Sequence, residues 1–105
     1  MKIGFVLPTY NEFENIFVLI KQIKKIFKNY LIVVIDDSST NEIKNKIIKY
    51  RKIKYFKRKV KSGRGSAVLF GMKKILKESN IDLIVEMDTD LSSHPRELPK
   101  KIKLF

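Results

Sequence analysis

The residues of this chain that could do chemistry fall into four short clusters. The tightest is Asp88-Thr89-Asp90, which follows an apolar run from Ile81 to Met87. Two carboxylates two residues apart at the end of an extended segment can face one space and offer hard oxygen ligands to Mg2+ or Mn2+. Such a cation completes its shell with water and substrate phosphates, so the protein need supply only one or two carboxylates. Without a cation the pair repels itself. The plainer alternative is an acidic turn that caps the next helix. Asp36-Asp37 is a second acidic pair, again placed after an apolar run. One member can cap a helix through backbone amides, leaving the other to accept hydrogen bonds from a base or ribose. The third cluster, Lys61 to Gly65, is a glycine-containing loop flanked by Lys59, Lys61 and Arg64, a composition that suits an anion. It is neither the lysine-threonine P-loop nor the three-glycine dinucleotide fingerprint, and a simple loop-to-helix turn is the alternative. The fourth is Pro8-Thr9-Tyr10-Asn11-Glu12. His94, the single histidine, sits near a helix start, where a capping or surface role outweighs a ligand role.

The elements that must position these clusters alternate between strand and helix. Lys2 to Leu7 is a short apolar strand stopping at Pro8. Asn11 and Glu14 have the spacing of a capping box, and Ile16, Leu19, Ile20, Ile23 and Ile26 then repeat at helical intervals. Leu31 to Ile35 is apolar throughout and rich in β-branched residues, the composition of a strand covered on both faces. Ser39 and Glu42 repeat the capping-box spacing ahead of a helix through Ile43, Ile47 and Ile48. Ile53 to Phe56 is a weaker strand, a helix is predicted over about Ser66 to Glu78, and Ile81 to Met87 is the fourth strand. Pro95 and Glu97 suit the first turn of a last helix. This order predicts a parallel α/β sheet with helices on both faces. In such sheets ligands bind beyond the carboxyl ends of the strands, where the strand order reverses. All four clusters lie at such ends.

Composition narrows the class. A chain of 105 residues makes one domain, 1–105, and its 44% hydrophobic content suits a packed core. The absence of cysteine excludes disulfides and thiolate metal sites and fits a reducing compartment. No apolar run approaches the ~18–20 residues of a membrane span, and Met1 to Leu7 opens like a strand rather than a signal peptide. A soluble cytoplasmic domain is the expectation. The formal charge of +12 comes from 23 basic and 11 acidic residues. It suits nucleic acid, an anionic membrane face or a phosphorylated substrate, and equally a solvated lysine surface, because Lys24, Lys25, Lys28, Lys44, Lys46 and Lys49 fall on expected helix surfaces. No ladder of aromatic and basic residues of the kind that stacks single-stranded bases is present, so no nucleic acid partner is expected. A small basic nucleic-acid-binding domain and a non-catalytic nucleotide-binding module are the rival classes.

Taken together, the clusters resemble family 2 glycosyltransferases. Pro8-Thr9-Tyr10-Asn11-Glu12 with Asn15-Ile16 looks like the opening motif of that family. Val34-Ile35-Asp36-Asp37-Ser38-Ser39-Thr40 resembles its second-strand motif, and Gly63-Arg64-Gly65-Ser66-Ala67 with Gly71 its glycine-rich helix start. Glu86-Met87-Asp88-Thr89-Asp90-Leu91-Ser92 with His94-Pro95 is similar to the dolichyl-phosphate mannosyltransferase branch. The resemblance implies a GT-A fold, a Rossmann-like sandwich with a mostly parallel sheet, and inverting, metal-dependent transfer of a sugar to a polyprenyl or dolichyl phosphate. The implied donor is GDP-mannose, with UDP-glucose as the second choice, and the implied cofactor is Mg2+ or Mn2+. It further implies that Pro8, Tyr10 and Glu12 border the nucleoside, that Asp37 contacts the base with Asp36 beside it, that Asp88 holds the donor and that Asp90 is the principal metal ligand. Ser92 stands where some relatives carry glutamine as a further ligand. Relatives continue for about as long again, with a further strand pair and acceptor-binding arginines. The expectation is therefore a donor-binding portion, incomplete at its C-terminus, that self-associates or is marginally stable, transfers no sugar alone and rests peripherally on the cytoplasmic face of a membrane.

Overall fold

A computed structural model describes residues 1–10, 13–38, 40–58, 64–78 and 80–87, with the backbone alone at 64 and 65. The described elements run β1 (Ile3–Thr9), α1 (Phe13–Ile26), β2 (Tyr30–Asp36), α2 (Glu42–Ile47), β3 (Ile53–Lys57), α3 (Arg64–Leu76) and β4 (Leu83–Glu86). The four strands form one parallel sheet in the order β3-β2-β1-β4.

Side-chain alternation along the strands divides the core in two. Phe5 and Leu7 of β1, Ile32 and Val34 of β2 and Val85 of β4 point to one face, against Ile16, Leu19, Ile20 and Ile23 of α1 and Ile43 and Ile47 of α2. Val6, Val33, Ile35 and Ile84 point to the other, against Ala67 and Ile75 of α3. This arrangement follows from handedness. The chain moves one way through β1, β2 and β3, so right-handed crossovers put α1 and α2 on one face. It then returns past β1 to reach β4, and the same hand puts α3 on the opposite face.

α3 lies close to the sheet because Gly71 has no side chain: a Cβ there would come within 2.5 Å of Val6 Cγ1 and 3.2 Å of Ile35 Cγ1. The spacing of Gly71 from the basic loop thus serves helix-to-sheet packing.

The element order and sheet class match the sequence expectation, with local differences. Ile26 and Ile48 are exposed, at 42% and 72%, because α1 turns its apolar stripe through Phe17 and α2 ends at Ile47. The N-cap of α2 is Asn41, with no side-chain capping bond, and Ser39 of the expected capping box lies outside the described residues. The entry is held from β3, where the Lys57 ammonium donates to the Thr40 carbonyl at 2.6 Å and to Asn41 Oδ1 at 2.7 Å. Asn11 and the final helix expected near Pro95 lie outside the described residues.

Candidate functional site

In the strand order β3-β2-β1-β4 the direction of winding reverses between β1 and β4, so the switch-point crevice lies beyond the carboxyl ends of those two strands. Pro8 helps to open it. Val6 accepts a hydrogen bond from Met87 N–H at 3.1 Å on the β4 side, whereas Thr9 accepts one from Asp37 N–H at 3.0 Å on the β2 side. Pro8, between them, directs its backbone to the β4 side and has no N–H to extend that ladder. The β1–β4 pairing ends at Val6 and Glu86, while the β1–β2 pairing runs on to Thr9 and Asp36. β4 therefore delivers the chain, at Met87, to the mouth of the gap that β1 leaves.

Thr9 closes β1 with its side chain 4% exposed, and its Oγ1 has no hydrogen-bond partner among the described residues. Such a buried hydroxyl costs stability unless something completes it. Tyr10 follows, half exposed, at the rim.

The acidic pair at the end of β2 separates into two roles. Adjacent residues of an extended chain point to opposite faces. Asp36, fully buried, faces the α1–α2 side. One of its oxygens accepts the Ser38 N–H at 2.8 Å and the other accepts the Tyr55 hydroxyl. Burial, reinforced by the bond to Asp36 and its negative charge, raises the Tyr55 phenol above its ordinary value. Asp37 faces the α3 side and receives a two-point contact from Arg58, Nε to Oδ1 at 2.8 Å and Nη2 to Oδ2 at 2.6 Å. Arg58 Nη1 also donates to Ser66 Oγ at 2.9 Å, which ties the first turn of α3 to the same assembly. The bond to Asp37 holds the guanidinium above its ordinary value, against a smaller opposing effect of burial. Neither aspartate caps α2, contrary to one reading of the sequence. Both carboxylates are engaged inside the protein, Asp36 in joining β2 to β3 and Asp37 in joining β3 to α3.

Arg58 and Tyr55 were not singled out in the sequence. They lie 21 and 19 residues from their partners, and only the β2–β3 register brings them together. The described structure thus places Pro8, Tyr10, Asp36 and Asp37 at neighbouring strand ends. Glu12, Asp88 and Asp90 lie outside the described residues, as do Lys59, Lys61 and Gly63 of the basic loop. Among the described residues no three histidine or acidic side chains converge as a metal site.

Fold and strand-end cluster together define a doubly wound α/β domain with its ligand crevice at the switch point. Residues 5–105 match the sequence profile of glycosyl transferase family 2, and the chain belongs to that family. It is 37% identical over 108 residues to the dolichol-phosphate mannosyltransferase of Pyrococcus furiosus, an alignment covering 98% of this chain and 30% of that protein. To the undecaprenyl-phosphate mannosyltransferase of Micrococcus luteus it is 27% identical over 107 residues, covering 98% of this chain and 44% of that one. The chain thus spans less than half the length of either relative. Among solved structures, residues 1–349 of TarS from S. aureus superpose with a TM-score of 0.71 at 23% identity, covering 95% of this chain and 31% of that one. The mannosyltransferase PcManGT from Pyrobaculum calidifontis, solved with GDP-Man and Mn2+, superposes at 0.69 with 18% identity, covering 94% of this chain and 30% of that one. At these identities the likeness is one of fold, the GT-A arrangement.

Proposed function

We propose that the strand-end loops bind a nucleotide sugar, GDP-mannose in preference to UDP-glucose, and that its sugar passes with inversion to a polyprenyl or dolichyl phosphate. The observation that carries this reading is the gathering of Pro8, Thr9, Tyr10, Asp36 and Asp37 at the carboxyl ends of β1 and β2, beside the switch point toward which β4 runs as far as Met87. The names of the two curated relatives support the lipid-phosphate acceptor, and the PcManGT complex supports the donor.

The donor set fits a divalent cation by its chemistry: two carboxylates supply hard oxygens, and phosphate oxygens complete the shell. Asp88 and Asp90 would hold Mg2+ or Mn2+, with Asp90 as the principal ligand. When bound, the cation neutralises charge on the departing diphosphate. The rest falls to the chain itself. Asp37, oriented by Arg58, retains lone pairs with which to accept an N–H from the base, and Asp36 stiffens the strand end behind it. Pro8, Tyr10 and Glu12 border the nucleoside. A phosphate oxygen of the acceptor attacks the anomeric carbon on the face opposite the diphosphate. The bond to the diphosphate breaks, and its electron pair leaves with it. A lipid phosphate is already ionised near neutral pH, so the attack needs no general base.

Among the described residues no helix is long and apolar enough to cross a membrane. The lysine surplus suits peripheral contact with an anionic, cytoplasmic leaflet. Calorimetry with GDP, UDP and ADP, each with Mn2+ and with EDTA, tests the reading. GDP should bind most tightly and lose affinity in EDTA; equal, weak, metal-independent binding of all three refutes it.

A further inference from the structure

The opposite end of the sheet carries a second concavity. It lies where β2 and β3 begin, on the face covered by α1 and α2, and encloses about 600 Å³, within the range of small-molecule sites. Its floor is apolar, with Ile32 and Tyr30 both buried. Its rim is cationic: Lys24 comes from α1, Lys46 from α2, Lys49 from the turn after it, and Arg51 and Lys52 from the corner leading into β3. Among the described residues no carboxylate lines it, although the chain as a whole has 11 acidic residues against 23 basic ones. The excess of positive charge here is therefore more than the average of the surface.

Two of the five cations are held in place. Lys46 sits over the rings of Phe13 and Phe17, at 5.5 and 4.6 Å from their centroids. Lys52 donates to the Lys28 carbonyl at 3.3 Å and lies 5.1 Å from the Tyr30 ring centroid. Lys24, Lys49 and Arg51 have no ion-pair partner among the described residues. The corner that presents Arg51 and Lys52 is itself strained, with Lys52 at φ 63°, a left-handed conformation unfavourable for a non-glycine residue. It is anchored by the Ile32 N–H, which donates to the Lys52 carbonyl at 2.9 Å. Like charges converging from four segments repel, and a compact multivalent anion relieves that repulsion.

We propose that this recess binds a compact, soluble polyphosphate anion, independently of any divalent metal. The site is separate from the donor crevice: six residue steps of β2, roughly 20 Å, divide Tyr30 from Asp36. A flat anionic membrane fits it less well, because the cations ring a recess instead of crowning a convex face. Failure of the donor reading leaves this proposal untouched.

The test is titration of the chain with tripolyphosphate in EDTA, followed by amide NMR. Saturable shifts should appear at Tyr30 and at residues 51–53, with those at Thr9 and Asp37 unmoved. The exposed pair Lys49→Gln/Arg51→Gln should weaken binding by about tenfold or more without lowering the melting temperature. The charge-matched pair Lys73→Gln/Lys77→Gln, on α3 and in the turn just after it, across the sheet, should leave affinity within about twofold. No saturable shift up to about 1 mM ligand, or equal weakening by both pairs, overturns the proposal. So does binding of phosphatidylglycerol vesicles that needs Lys49 and Arg51 while tripolyphosphate does not bind.

Discussion

Replacing Arg58 by methionine should be among the most damaging single changes outside the hydrophobic core. Both side chains of the Arg58–Asp37 pair are nearly buried, at 11% and 10% exposure, and the contact is two-pointed. The methionine fills part of the space but leaves the Asp37 carboxylate without a counter-charge and Ser66 without its donor. Stranding one member of a buried pair costs about 3–5 kcal/mol, and the residual solvent contact here places the value near the lower end, about 3 kcal/mol. In a domain of this size each kcal/mol lowers the melting temperature by about 4–8 °C, so a fall of roughly 12–24 °C is expected. Because Arg58 is held above its ordinary value, its guanidinium stays charged wherever the fold can be measured, and the loss should be the same at about pH 6 and pH 9. The assay is thermal unfolding by circular dichroism, with Arg58→Met/Asp37→Asn as its control. Removing the stranded charge should restore at least about 1 kcal/mol relative to Arg58→Met alone. A single variant that melts within about 3 °C of the parent, or a double variant no more stable than Arg58→Met, would refute the idea that this pair joins β3 to α3.

Three further outcomes are expected. Gly71→Ala puts a methyl group 2.5 Å from Val6 Cγ1, and the overpacking should outweigh the helix-propensity gain of about 1 kcal/mol, for a net loss of about 1–2 kcal/mol in urea unfolding. The phenol of Tyr55 is raised above the ordinary 10.0, so it keeps its proton in the fold after the unfolded chain has lost its own. Its contribution is complete below about pH 10 and declines as pH rises toward the folded value, so melting temperature between about pH 9 and pH 11 should fall more steeply in the parent than in Tyr55→Phe. Asp90→Asn should remove the metal dependence of GDP binding in calorimetry with the melting temperature unchanged; normal metal-dependent binding with a lowered melting temperature would make Asp90 structural instead.

Local pattern was enough to read the elements of this protein. The helical spacing of Ile16, Leu19, Ile20 and Ile23 defines a buried stripe, and the unbroken apolar runs at 3–7 and 31–35 define strands covered on both faces. Both are properties of near neighbours along the chain, for which a period of 3.6 or 2 suffices. From alternation with helices the parallel sheet follows, and with it the placing of Pro8, Tyr10 and the Asp36-Asp37 pair at strand ends. What each side chain does there was decided by tertiary structure. Asp36 and Asp37 look alike in sequence, yet the pleat sends them to opposite faces, one to Tyr55 and one to Arg58. The entry of α2 at Asn41 is held by Lys57, reaching across from β3. The basic recess draws its cations from segments separated by more than twenty residues. Pairings of that kind depend on strand order and register, which are set by how the two apolar faces are shared between α1 and α2 on one side and α3 on the other, and no local spacing encodes them.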